Sequence, residues 1–212
     1  MTARELLSET WRRLAARQGV PAPLAEPMLE ELVGAYLQPA RQYHTLDHIA
    51  ALLRQLEEHK DGVIDHDAVA LAILFHDVVY DPRRQDNEQR SAALARQRLT
   101  TLGFATALID KVAAYIEATQ HGHKVEIKDP DLALLLDLDL STLAAAPDAY
   151  RAYASAIRRE YAHVPDAFYR GGRRQILEGF LARQQIYHTE RFRTLWEARA
   201  RANMSEEIAG LR

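Results

Sequence analysis

Val69-Ala70-Leu71-Ala72-Ile73-Leu74-Phe75 is a run of seven apolar residues without a polar face, and it ends on His76-Asp77. A run that is apolar all round has the pattern of a helix enclosed by other elements rather than one on the surface. Periodicity alone does not separate a short buried helix from a buried strand; the alanine content and the helical patterns on both sides decide for helix. An imidazole and a carboxylate at the end of such a run need a partner, because desolvating an ion costs several kcal/mol. A divalent metal is one partner that offsets this cost.

Working outward, nearly every segment reads as helix. Leu6, Leu7, Trp11 and Leu14 recur at helical spacing, as do Met28, Leu29, Leu32, Val33 and Tyr36 after Pro21 to Pro27. Leu46, Ile49, Leu52, Leu53 and Leu56 form the next apolar stripe. Further helices are predicted over 87–102, 105–119, 148–161, 173–183 and 189–202. Breaks are predicted at Asp61-Gly62, Asp81-Pro82, His121-Gly122-His123 and Arg170-Gly171-Gly172, where Gly or Pro interrupts the pattern. Lys124 to Lys128 is polar and alternating, which fits a short extended piece. No repeat, low-complexity tract or long linker is evident. The expectation is an all-α fold, a single helical domain over 1–212 with a buried central helix and a motif-bearing core at about 41–203.

The chain has 212 residues, of which 48% are hydrophobic and 27% charged, an ordinary balance for a globular protein that buries a substantial core. A net charge of -3 gives no general attraction to nucleic acid or anionic membrane, so phosphate recognition has to come from a few local basic groups. Cysteine is absent, which excludes disulfides, thiolate metal sites and cysteine nucleophiles. The first residues lack the apolar core of a signal peptide, and the most hydrophobic stretch is too short to span a bilayer. A cytoplasmic protein is expected, with neither a membrane nor a nucleic-acid polymer as partner.

Two further segments accompany His76-Asp77: Tyr43-His44-Thr45-Leu46-Asp47-His48 upstream and Asp137-Leu138-Asp139 downstream. His44 and His48 stand four apart, a spacing that places both on one face of a helix and can ligate one metal. A zinc-protease motif needs Glu directly after the first histidine, and Thr45 stands there instead. An isolated pair of this kind more often caps or lines a helix start. With His76, Asp77 and Asp139 added, two imidazoles and two carboxylates make a site of intermediate hardness, suited to Mn, Fe, Co, Ni or Zn. An open coordination position there lowers the pKa of a water toward neutrality.

The pattern of His48, His76-Asp77 and Asp139 resembles the HD-domain superfamily of metal-dependent phosphohydrolases. Leu71 to Val79 resembles the apolar helix that ends in that family's His-Asp pair, His48 to Leu53 the helix opened by its first histidine, and Leu136 to Leu140 the segment supplying its last aspartate. The resemblance implies His48, His76, Asp77 and Asp139 as ligands, with Asp137 the close rival of Asp139. Arg41-Gln42-Tyr43-His44, Asn87-Glu88, Ile157 to Tyr161, Gly172-Arg173 and the stretch from Glu197 to Asn203 are similar to an uncharacterised branch of predicted phosphohydrolases. HD domains that hydrolyse guanosine tetraphosphate carry a Glu-Asp pair where Tyr80-Asp81 stands here, so this chain departs from that pattern at Tyr80 and keeps only the Asp.

Around the ligands, Asp81 is a candidate for orienting or deprotonating the attacking water, set against a plain role in an Asp-Pro turn. His44 is a candidate catalytic group that either ligates or donates to a phosphoryl oxygen. Glu88 fits a helix cap more readily than a catalyst. His121 and His123 offer either loop residues or a second metal site. Arg41, Arg158 and Arg173 are the candidate substrate-binding cations, Arg173 because Gly171-Gly172 would place it at a helix N-terminus, where free N–H groups favour anions. The expected function is hydrolysis of a small phosphorylated metabolite or nucleotide. A regulatory module that binds a nucleotide or metal, with a homodimer as one form it could take, is the alternative, and two-iron oxygenase chemistry is a third reading that requires extra ligands.

Overall fold

Ten α-helices carry the residues described by the computed structural model, 1–120 and 127–211. They are α1 (Ala3–Arg17), α2 (Ala22–Tyr36), α3 (Leu46–Glu58), α4 (His66–Phe75), α5 (Asn87–Thr101), α6 (Thr106–Ala118), α7 (Pro130–Asp139), α8 (Pro147–Glu160), α9 (Asp166–Leu181) and α10 (Glu190–Gly210). A 3-10 turn over Leu140–Ala144 follows α7, and no strand occurs among the described residues. The fold is all-α, as expected. The chain divides into two compact units, Met1–Leu135 and Leu136–Arg212, with the division inside α7. None of the described helices is long and apolar enough to cross a membrane.

In the first unit α4 is the central element. Every residue from Ala68 to Phe75 is at 0% exposure, which is what the all-round apolar pattern requires. It packs against α1, α3 and α6 and touches α5. Its start is fixed by Asp65, whose carboxylate accepts the Ala68 N–H at 3.0 Å and caps the first turn. Buried Asp131 holds the approach by accepting the N–H groups of Ile64 and Asp65 at 2.9 and 2.7 Å. At the far end the Tyr36 hydroxyl donates to the Leu74 carbonyl at 2.9 Å and ties α2 to the last turn of α4. Trp11 lies edge-on to Phe75 and stacked with Phe104, and its indole N–H donates to Ala25 O at 2.9 Å. Its polar atom is thereby satisfied inside the core.

Two helices start well before the expected boundaries. The first is α2, which starts at Ala22 rather than after Pro27. Pro23 sits in its first turn, where a proline costs little because that N–H has no intrahelical partner anyway. The second is α9, in the second unit, which runs unbroken through Gly171-Gly172. Each helix-interior glycine costs about 1 kcal/mol relative to alanine. The buried stripe Tyr169, Arg173, Leu177 and Phe180, at helical spacing, outweighs that penalty. Arg173 is consequently a mid-helix residue, and the predicted anion site at a helix N-terminus does not exist.

Within the second unit, α10 packs on α9 and on the 3-10 turn, which α8 also contacts. Phe192 stacks on Trp196 at 3.9 Å between ring centres. The segment from Ile186 to Thr189 has no helical partners for its N–H groups, and two carboxylates take them. Glu197 accepts from Ile186 and Tyr187. Asp137 accepts from the N–H groups of His188 and Thr189 at 2.6 and 2.8 Å and from the Thr189 hydroxyl at 2.7 Å. Asn203, at 4% exposure, donates to the carbonyls of Leu143 and Ala145.

Candidate metal centre

Three of the predicted ligands converge in the first unit. His48 belongs to the first turn of α3 and is buried with the apolar stripe of that helix. His76 is the C-cap of α4, its N–H donating to Ala72 O at 2.8 Å, and Asp77 is the next residue as the chain turns away. One donor atom from each of His48, His76 and Asp77 lies within 4.8 Å of the others. Asp77 Oδ2 is 3.0 Å from His76 Nε2 and 3.8 Å from His48 Nε2. Two ligand atoms each ~2.1 Å from one ion stand ~3.0 Å apart at right angles and ~3.4 Å apart in a tetrahedron, so this spacing suits a shared metal.

The tautomer of His76 makes the fit more specific. Its Nδ1 lies 3.0 Å from the Ile73 carbonyl, which accepts and can only be met by Nδ1–H. Neutral His76 therefore carries its lone pair on Nε2, aimed at a carboxylate oxygen. Two acceptors facing one another at 3.0 Å need a cation between them, either a proton on Nε2 or a metal. Holding the distal nitrogen by a backbone carbonyl is how metal-ligating histidines are commonly oriented. Burial pushes the Asp77 carboxyl up, but the neighbouring His76, His44 and His48 outweigh it and hold the group well below the usual carboxylate range. Asp77 is thus ionised and ready to ligate.

His44 is placed differently from the expectation. Thr45 is the N-cap of α3 with extended backbone, so His44 precedes the helix and does not share a helical face with His48. It remains near the cluster, with its ring 6.0 Å from that of His48 and 4.2 Å from that of Tyr80. Tyr43 packs on His48 at 4.9 Å.

After Asp77 the helix does not persist, so Asp81 is not one helical turn from the ligand. Its carboxylate accepts the Arg83 N–H at 2.9 Å, and its backbone pairs with the Asn87 side chain, donating at 3.0 Å and accepting at 2.9 Å. This is the Asp-Pro turn of the plainer reading. Glu88 is a first-turn acid of α5, the position of a dipole-favouring residue.

Asp139 ends α7 and belongs to the second unit. Its rival Asp137 is fully buried and accepts three hydrogen bonds within that unit, while burial still pushes its carboxyl above the usual carboxylate range. Those donors give it a structural role at the start of α10. His121 and His123 lie outside the described residues, as does most of Lys124 to Lys128.

The three arginines are engaged by the protein itself. Arg41 donates to the carbonyls of Asp77, Val78 and His44. Arg158 donates to Tyr161 O and Val164 O and lies over the Tyr169 ring at 4.5 Å. Arg173 pairs with Glu207 at 2.8 and 3.0 Å. Ser91 was not among the residues expected to serve the site, and Tyr36 was expected only as part of an apolar stripe, not as a donor to Leu74 O. Ser91 is fully buried, and its hydroxyl both accepts from Val79 N–H and donates to Val79 O. The only signal for it is the four-residue spacing from Asn87, which puts both on the face of α5 that meets the loop after Asp77.

No family model, curated protein or solved structure matches the chain.

Proposed function

We propose that the chain is a metal-dependent phosphohydrolase acting on a small phosphorylated metabolite or nucleotide. The observation that carries this reading is the convergence of His48 Nε2, His76 Nε2 and the Asp77 carboxylate, with His76 held by Ile73 O in the tautomer that ligation needs. The resemblance of the three motif segments to the HD-domain superfamily supports it. A nitrogen and oxygen donor set without sulfur favours Mn, Fe, Co, Ni or Zn. Such an ion supplies Lewis-acid charge for a phosphoryl oxygen and acidifies water near neutral pH. The residues themselves hold the donor geometry, and Asp77 contributes negative charge that confines a cation.

A second reading, a regulatory module that binds metal or nucleotide without turnover, is favoured by one specific observation. Asp81, Arg41, Arg158 and Arg173, the groups expected to serve chemistry and phosphate binding, hold the fold instead. One experiment separates the two. Protein purified without chelator is assayed for metal content and screened against nucleotides and sugar phosphates, with each divalent ion added back. The hydrolase reading expects phosphate release that chelation abolishes and one ion restores. Stoichiometric metal with no release from any phosphate ester or anhydride overturns it in favour of the regulatory module.

A further inference from the structure

We infer that Arg41 is a positioning residue of the metal centre, one that sets the distance between its two halves. This rests on the reading that His48, His76 and Asp77 hold a metal. The donors reach the site from two separate stretches of chain. His48 arrives with the start of α3, and His76 and Asp77 arrive at the end of α4. The second stretch continues as irregular backbone from Asp77 to Asp86, where no helical hydrogen-bond ladder fixes it.

Side chains take over that task. Asp77 O and Val78 O accept from Arg41 at 2.6 and 2.9 Å, Val79 exchanges both backbone bonds with Ser91, and Asp81 exchanges both with Asn87. Ser91 and Asn87 fasten the loop to α5, which carries none of the three clustered donors. Arg41 is different, because its Nη1 also donates to His44 O at 3.2 Å, on the stretch that leads into α3. One planar guanidinium thus joins the backbone of a ligand, Asp77, to the backbone four residues before another, His48.

The surroundings fix the guanidinium as well. Arg41 is 5% exposed and lies between Tyr36 at 5.1 Å and Tyr80 at 5.5 Å. Tyr36 is bonded to the last turn of α4, and Tyr80 packs on His44. A rigid fork held between two rings transmits position in a way that a flexible ammonium does not. Lysine at 41 keeps the charge but is a compact point donor, and it does not reproduce the planar fork that spans Asp77 O, Val78 O and His44 O.

The test is Co2+ titration followed by visible absorption, on wild type, Arg41→Lys and Leu7→Ala. Leu7 is a fully buried residue of α1, and its truncation lowers stability without touching the loop. Outer groups that orient ligands typically contribute 10- to 100-fold in metal affinity. Arg41→Lys is therefore expected to bind Co2+ ~10- to 100-fold more weakly, with an altered ligand-field spectrum, while Leu7→Ala keeps wild-type affinity and spectrum. Should the lysine variant fail to fold, Arg41→Met, which keeps the packing between the tyrosines, is titrated in its place. Wild-type affinity and spectrum in the Arg41 variant overturn the inference, as does an equal loss in Leu7→Ala. Absence of Co2+ binding in wild type is a different result: it removes the metal reading itself.

Discussion

Asp77→Ala is expected to lose bound metal and any metal-dependent turnover together. Asp77 is the one carboxylate of the three-residue cluster, and its Oδ2 faces both His76 and His48. Removing it leaves two imidazoles, which as neutral donors compete poorly for a hydrated divalent ion. Asp81→Ala is the informative counterpart. Its carboxylate accepts the Arg83 N–H in the turn that ends at α5, so the expected result is retained metal, near wild-type turnover and a stability loss of about 1 kcal/mol. A general base in that position would instead contribute roughly 10²–10⁴ in rate. Metal content, turnover and melting temperature on the two variants separate these roles. Full metal occupancy in Asp77→Ala contradicts the site, and a hundred-fold loss of turnover in Asp81→Ala with metal retained returns Asp81 to the chemistry.

The second large effect is expected at the ion pair of Arg173 with Glu207, whose side chains are 7% and 12% exposed. Arg173 also stands 3.4 Å from the Tyr153 hydroxyl and lies over that ring. Removing one member of a buried pair strands the other charge and costs about 3–5 kcal/mol. At ~2–4 °C per kcal/mol for a chain of this size, Glu207→Ala should melt on the order of 10 °C lower. Replacing both members by apolar residues of similar volume is often neutral, so Arg173→Met with Glu207→Leu is expected to recover most of the loss. Equilibrium unfolding in urea measures both. If Glu207→Ala is within ~0.5 kcal/mol of wild type, the pair does not hold this unit together. A stable double variant that has lost phosphate turnover would restore Arg173 as a substrate ligand.

What could be read from the sequence depended on how many side chains said the same thing. Seven consecutive apolar residues left α4 only one environment, and all of Ala68 to Phe75 are indeed sealed in the core. Gly171-Gly172 misled because backbone propensity is local, while the buried stripe on α9 that overrides it is tertiary. The end of α10 was placed too early for the same reason, since Asn203 and Met204 are buried beyond the predicted stop at about residue 202. His48, His76 and Asp77 were legible because imidazoles and a carboxylate beside buried helices have few uses. The roles of Arg41 and Asp137 were not. A guanidinium serves a phosphate or a carbonyl, and a carboxylate serves a metal or a row of N–H groups. The carbonyls that Arg41 meets at Asp77 and Val78 lie 36 and 37 residues along the chain.

Crystals grown with Mn2+ or Zn2+ and measured at the metal's absorption edge test the central claim most directly. The expected result is one strong anomalous peak roughly 2.0–2.3 Å from His48 Nε2, His76 Nε2 and an Asp77 carboxylate oxygen, absent from crystals of Asp77→Ala. A peak elsewhere, or no peak among these three residues in metal-saturated crystals, would contradict it.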